Sequence, residues 1–333
     1  MSDPQKIQIS IAEATDLAVR ALTRAGMKRE AACLVADHLV DANLCGHEFS
    51  SLPRVIAIVD ELAKKRTPPG EIRVVREDRC SALIDGGDNV AYVASIFGID
   101  KAVEICRKNG VALVGVNNTW FSGRLAYYVE RAARQGYVAM HTTNTTARVA
   151  PYGGIERLMG TNPFAIAFPS EDDPLVIDIG TSATTWGDVV LARTKGEPLP
   201  EGVAVDTDGR PTVDPQAALD GAFLPWGGHR GSALSVAVQL LGVLVGSSTV
   251  IDDVSNYGLF FLVIDPDALL PGGAYKARVS ELRRAIEENR PLPGMPAVRV
   301  PGDGSLQRRK QALAKGTVSV DEKVYQRIVA LCD

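Results

Sequence analysis

The chain has 333 residues, a length that suits two domains better than one core. Apolar residues make up 46% and charged residues 23%, which is ordinary globular usage. A net charge of −4 argues against a nucleic-acid partner, and the one basic cluster, Arg308-Arg309-Lys310, reads as a solvated helix face.

The N-terminal MSDPQKIQIS has no apolar core of signal-peptide length. Ser10 and Glu13 then form a capping box, and Ala14, Leu17, Ala18 and Leu22 repeat at helical spacing as far as Gly26. Residues 29–44 repeat the pattern and stop at Gly46, and 53–65 is a third helix ended by RTPPGE. The first 70 residues therefore predict a helical layer. Short β-rich runs follow at 72–75, 81–84, 111–116, 138–142, 164–168 and 175–178, with helices at about 92–109 and 123–135. From 198 to 225 the chain is rich in Gly, Pro and Asp and reads as a long surface excursion. A very apolar helix over 232–244 precedes a strand at 259–264, and charged amphipathic helices close the chain around 275–289, 304–315 and 320–331. The longest apolar run, 233–245, is interrupted and too short to cross a bilayer, so neither a membrane partner nor export is expected and the location reads as cytoplasmic. Cysteines at 33, 45, 80, 106 and 332 lack CxxC spacing, which suits free thiols in a reducing compartment. The expected class is α/β, with a helical domain from 1–70 plus 270–333 and an α/β cofactor-binding domain at 71–269.

Three stretches carry more polar and glycine residues than their surroundings explain. In GHEFSSLPR (46–54), His47 reads as a structural residue or an acid, and Arg54 as an exposed charge or a carboxylate clamp. TTNTTARVAPYGGIERLMGTNPFAIAFPS (142–170) is dense in hydroxyls and glycines, and VIDIGTSATTWGD (176–188) follows it. Asp178, at the end of a strand, suits a ribose hydroxyl or a turn cap. In PWGGHRG (225–231), Arg230 at the start of an apolar helix suits an anion site or a tight turn. There is no GxGxxG after a strand, no P-loop, HExxH or GxSxG. The four histidines (38, 47, 141, 229) are too scattered for a metal site, and none is expected.

Taken in order, these stretches resemble the type-2 malate/L-lactate dehydrogenase family, which includes ureidoglycolate dehydrogenase, diketogulonate reductase, sulfolactate dehydrogenase and the Δ1-piperideine-2-carboxylate/Δ1-pyrroline-2-carboxylate reductases. VAPYGGIERLMGTNPFAIAFPS resembles the family's VAPxGGxExxxGTNPxAxAxP, PWGGHRG its P-x-GG-x-KG helix, and VRVPGDG its R-x-PGE. The resemblance implies a non-Rossmann fold, a largely antiparallel sheet wrapped by helices, acting as a homodimer with NAD or NADP on a small carboxylate substrate. By position it implies cofactor contacts at Ser122, Gly123, Asp178, Ile179, Gly180, Thr181, Ser182, Trp186, Gly187, His229, Arg230, Gly302, Asp303 and Gly304. Arg54 would grip the substrate carboxylate and Thr161 would bond near it. The basic residues near Arg308 favour NADP.

Two departures matter. The family pattern GHxSHGxxR places its general acid at the position of Ser50, whose neighbour is Phe49, and the histidine of NSNHFG falls at Phe121. Reduction of a 2-oxo acid needs a proton on oxygen, and a positioned acid contributes about 10²–10⁴-fold. A cyclic imine acid arrives already protonated, so Asp188, or a water on Ser50, would need only to stabilise the iminium. The expectation is a 2-imino acid reductase. The alternatives are a 2-hydroxy acid dehydrogenase using His47, and a non-catalytic ligand-binding paralogue.

Overall fold

Strand β1 (Lys6–Ser10) ends on the hydroxyl that starts helix α1 (Ile11–Arg24): Ser10 Oγ accepts the Glu13 N–H at 3.0 Å. Only half of the expected capping box forms, because the Glu13 carboxylate accepts from the Tyr325 hydroxyl instead. The structure is a computed structural model, and it describes residues 6–65 and 67–332. Along the chain follow α2 (Arg29–Leu44), α3 (Pro53–Lys64), β2 (Arg73–Asp78), β3 (Ser81–Val90), α4 (Ala91–Asn109), β4 (Val111–Trp120), α5 (Ala126–Ala133) and β5 (Val138–Thr143). Then come β6 (Phe164–Phe168), β7 (Leu175–Ile179), α6 (Trp186–Lys195), β8 (Ala204–Val205), α7 (Pro215–Asp220), β9 (Ala222–Phe223) and α8 (His229–Leu244). The last elements are β10 (Tyr257–Ile264), α9 (Ala274–Glu287), α10 (Asp303–Lys315), β11 (Thr317–Asp321) and α11 (Glu322–Cys332). Two compact units divide between Pro69 and Gly70 and again between Glu281 and Leu282, inside α9.

In the first unit α1, α2, α3, α10 and α11 pack around buried Leu17, Leu22, Val35, Leu39, Leu52 and Ile58. The helical layer expected at the N-terminus needs one addition. β1 pairs antiparallel with β11, so the two ends of the chain form a ribbon.

The second unit is a seven-stranded sheet in the order β2-β3-β4-β10-β5-β6-β7. Only β3 and β4 are parallel; all the other neighbours are antiparallel. Gly98 of α4 lies against Val116 and Phe261, whereas the adjacent Gly115 faces Val245 just past α8. Successive strand residues point to opposite faces, so α4 and α8 cover opposite sides of the sheet. This explains the near-continuous apolar run of β10.

Two expectations are corrected. The 198–225 stretch is not a mere surface excursion. Leu199, Val203, Ala204, Ala218, Leu219 and Phe223 are buried with Val149 and Met159 in a small second core. The apolar helix starts at His229 and buries its small and polar residues (Gly231, Ser232, Ser235, Gln239, Gly242), while Val236, Leu240 and Leu244 stay exposed. Gly242 lacks the Cβ that would collide with Asn144, which lets the helix sit close to the sheet.

His141 is completely buried, stacked on Phe261 with ring centroids 4.0 Å apart. Its Nδ1–H donates to the Phe260 carbonyl at 3.1 Å, and burial pushes its pKa down to about 3 from 6.5. The unfolded chain therefore takes up a proton between these values that the folded chain refuses. Stability from this group is full above pH 6.5 and is lost as pH falls toward 3. We expect a loss on the order of a few kcal/mol across that window. His141→Gln should flatten this acid limb in denaturant titrations taken from pH 7 to pH 4. An acid limb as steep as that of the parent would refute the assignment.

Candidate functional site

The GHEFSSLPR strip of the first unit is the turn between α2 and α3. Gly46 ends α2 at φ +82°, and a Cβ there would strike the Arg308 guanidinium, so both conformation and space call for glycine. The His47 N–H closes the turn on the Ala42 carbonyl at 2.9 Å. The imidazole Nε2 lies 3.3 Å from Ser305 Oγ, which also accepts from Arg308. His47 is thereby tethered to α10. Ser50 is half-buried, and its hydroxyl has no protein partner among the described residues. The neighbouring Ser51 is structural: it is buried and donates to the Glu48 carbonyl at 2.7 Å. Arg54 is half-buried in the first turn of α3, its guanidinium 5.4 Å from the centre of the Phe49 ring.

In the same unit Gly302, in the left-handed region at φ +88°, begins α10. Asp303 is the first residue of that helix and pairs with Arg283. Gly302 and Gly304 border a groove of about 740 Å³ lined by Pro291–Arg308, with the guanidiniums of Arg299 and Arg308 flanking Gly304.

In the second unit three loops are stitched together by main-chain bonds. The Thr161 carbonyl accepts both the N–H and the hydroxyl of Thr181 at 3.0 Å. The Thr181 carbonyl accepts the Trp226 N–H at 3.0 Å, and Ala183 donates to Leu224 at 2.8 Å. Thr161, Thr181, Ser182 and the PWGG turn are thus one surface, with Gly180 exposed at its edge. Gly227 and Gly228 turn with positive φ into α8, whose N-terminus has no side-chain cap and carries exposed His229 and Arg230. Tyr152 approaches the His229 ring at 6.1 Å.

The acidic residues singled out in the sequence all have structural duties. Asp178 Oδ2 accepts the Ala126 N–H at 2.8 Å and so satisfies the start of α5. Desolvation raises its pKa, opposed by the Ala126 and Leu125 amides and by Arg124. Asp188 is tied to the N-cap of α6: Thr185 Oγ1 accepts its N–H at 3.2 Å and donates to Oδ2 at 2.7 Å. Its other carboxylate oxygen has no partner among the described residues.

Ser122 is buried, and its carbonyl accepts the Tyr128 hydroxyl at 2.8 Å. Phe121 sits at φ +50°, a region that aromatic residues rarely adopt. Trp120 beside it is buried and donates from Nε1 to Asp88 at 2.9 Å. One residue was missed by the sequence reading. Arg148 in the 142–170 loop lies with its guanidinium 4.1 Å over the Trp186 ring. Its position directly before VAPYGG, in an otherwise uncharged stretch, was the available signal.

Among the described residues no cluster of His, Cys, Asp or Glu suits a metal ion, and no helix is long and apolar enough to cross a membrane.

The malate/L-lactate dehydrogenase family model matches residues 9–329. L-sulfolactate dehydrogenase of Methanothermobacter thermautotrophicus is 34% identical, over 98% of this chain and 96% of its own. Among solved structures, a dehydrogenase from Sinorhizobium meliloti superposes with TM-score 0.91 at 30% identity, covering 99% of both chains. Δ1-piperideine-2-carboxylate reductase from Pseudomonas syringae gives TM-score 0.89 at 30% identity, covering 98% of this chain and 99% of its own. The non-Rossmann fold implied by the motifs is therefore the fold adopted. The chain belongs to the malate/L-lactate dehydrogenase family and is an oxidoreductase.

Proposed function

We propose that the chain is an NAD(P)H-dependent reductase of a small 2-imino acid, of the Δ1-pyrroline-2-carboxylate or Δ1-piperideine-2-carboxylate type. What supports this reading is the motif resemblance, by which Ser50 and Phe121 fall at the positions of the family's two imidazoles. The remaining histidines do not replace them well. His141 is neutral in the core, His38 is buried within α2, His47 is tethered to Ser305, and His229 is exposed at the start of α8 beside Tyr152. A protonated iminium needs no enzyme acid, only orientation and a nearby negative charge.

The residues present fit a dinucleotide. The uncapped start of α8 with Arg230 suits a pyrophosphate, and the partly exposed Trp186 indole suits a ring. Gly123, Ile179, Gly180, Thr181, Ser182, Gly187 and His229 complete the set in this unit; in the first unit, taken by itself, Gly302 and Gly304 border a groove with Arg299 and Arg308. Arg299 and Arg308 beside Gly304 favour NADPH over NADH. Bound NAD(P)H supplies the hydride. In the first unit Arg54 is the candidate to grip a substrate carboxylate and Ser50 to orient a water; in the second, Thr161 is a candidate substrate-bonding residue and the unengaged oxygen of Asp188 a candidate to stabilise positive charge. The likeness to a piperideine-2-carboxylate reductase supports this substrate class. A second reading, 2-hydroxy acid dehydrogenation with His47 as acid, is favoured by the likeness to L-sulfolactate dehydrogenase. Five scattered free thiols agree with a cytoplasmic location.

We also propose a homodimer formed through α8. Val236, Leu240 and Leu244 recur at one-turn spacing and are 44%, 57% and 71% exposed, although the helix is apolar all round. A second copy laying the same stripe against them would satisfy two-fold symmetry.

Three outcomes are expected. Following NADPH and NADH oxidation, the cyclic imine acids should turn over about 10²–10⁴-fold faster than pyruvate or oxaloacetate. Preference for the oxo acids, abolished by His47→Gln, would instead establish the second reading. Arg54→Met should raise KM for the carboxylate substrate by roughly 10–100-fold with dinucleotide affinity unchanged; an unchanged KM would remove Arg54 from the site. In sedimentation velocity, Leu240→Glu with Leu244→Glu should convert a dimer into a folded monomer. A dimer indifferent to both changes would place the interface elsewhere.

A further inference from the structure

Among the described residues Arg148 is a cation without a counterion. Its main chain is fixed from both sides: its N–H donates to Met159 at 2.8 Å and its carbonyl accepts from Phe223 at 2.9 Å. The side chain leaves this anchored point half-buried and lies over Trp186, the first residue of α6. No carboxylate, carbonyl or hydroxyl accepts from its guanidinium among the described residues. Arg157, also half-buried, shows the usual remedy, donating to the carbonyls of Leu219 and Gly221. A guanidinium carries five N–H donors, and withdrawing it from water without acceptors is unfavourable. Desolvation and the positive charge of Arg157 both work against its protonated form, and only the Tyr257 phenol favours it.

Stacking on an indole covers one face of the guanidinium and leaves the N–H edge for in-plane acceptors. The neighbours of that edge belong to the loop surface already described: Trp186 opens α6, and the anchors of Arg148 are Met159, beside the GTN turn, and Phe223, beside PWGG. No other role for the charge is visible, since it neither caps a helix nor pairs across a strand.

We propose that Arg148 is a ligand-binding residue that takes up an oxyanion through its N–H edge. The oxyanion has two sources of the same chemistry, a second acidic group on a dianionic substrate or a phosphate of the dinucleotide. The choice of this pocket rests on the dinucleotide reading given above, and the test separates the two.

The experiment compares parent, Arg148→Met and Arg148→Lys proteins. Dinucleotide binding is read from Trp fluorescence with NADH and NADPH, and oxyanion binding from the rise in melting temperature with inorganic phosphate and with malonate. Kinetics then compare a dicarboxylate with a monocarboxylate substrate. Removing a charge-assisted bidentate contact should weaken one of these ligands about 10–100-fold in Arg148→Met, with partial retention in Arg148→Lys. A loss confined to NADH and NADPH assigns the phosphate. A loss confined to malonate and the dicarboxylate assigns the substrate's second acid. Either result supports the proposal. Equal binding of all ligands by parent and Arg148→Met at equal melting temperature overturns it. If the parent binds neither dinucleotide, the broader cofactor reading fails, while the phosphate and malonate shifts still judge Arg148. If Arg148→Met does not fold, Arg148→Lys decides: full affinity for every ligand, despite the lost planar fork, counts against the proposal.

Discussion

Two buried asparagine amides hold the glycine-and-threonine loop in place, and the candidate site of the second unit depends on them. The chain between β5 and β6 is buried at both ends, around Asn144 and Asn162, and joins no ladder there, so its polar groups need partners from elsewhere. Asn162, in the left-handed region at φ +37°, donates to the Ser235 carbonyl at 3.0 Å and to Gln239 at 2.9 Å, and accepts the Thr145 N–H. Asn144 accepts the Gly258 N–H at 2.8 Å and donates to Ser247. Each such group left unsatisfied would cost about 1–3 kcal/mol. These bonds oblige α8 to turn its serine, glutamine and glycine side toward the loop. Val236, Leu240 and Leu244 on the opposite side of the helix are consequently left facing out.

Much of the fold was legible in the sequence where periodicity is strong. Helices α2 and α3 and strands β5, β6 and β7 fall where the 3.6 and 2.0 patterns place them. What was not legible depends on distant partners. β1 and β11 are five residues each and pair across almost the whole chain, so neither carries a strand signal strong enough alone. In the 198–225 segment, Gly, Pro and Asp punctuate the sequence like a surface loop. Val203, Leu219 and Phe223 become a core only through contact with Val149 and Met159, which nothing local reveals. Helix α6 escaped notice because it is short and buries only Gly187 and Val189. Within the site the glycine motifs were readable, since positive φ and close approach leave few substitutes. The carboxylates were not. Asp178 and Asp188 lie at helix starts and Asp303 in an ion pair, and an acid in such a position looks the same in sequence whether it serves a ligand or the helix.

Phe121 has a structural cost of its own. A left-handed φ suits Asn or His better than an aromatic hydrocarbon, yet the turn keeps it, held by buried Trp120 on one side and by Ser122, whose carbonyl the Tyr128 hydroxyl engages, on the other.

Charge placement follows the same logic. Arg54 lies over Phe49 and Arg148 over Trp186, so both cations of interest are stacked on aromatic faces. Stacking restrains the plane of a guanidinium without using its N–H groups, a restraint a lysine ammonium cannot accept in the same way. Recognition is then confined to the edge, where two parallel bonds fit a carboxylate or phosphate and fit a carbonyl poorly. A guanidinium backed in this way, as Arg148 is by Trp186, therefore distinguishes oxyanions by geometry as well as by charge, which a lysine at the same place could not do.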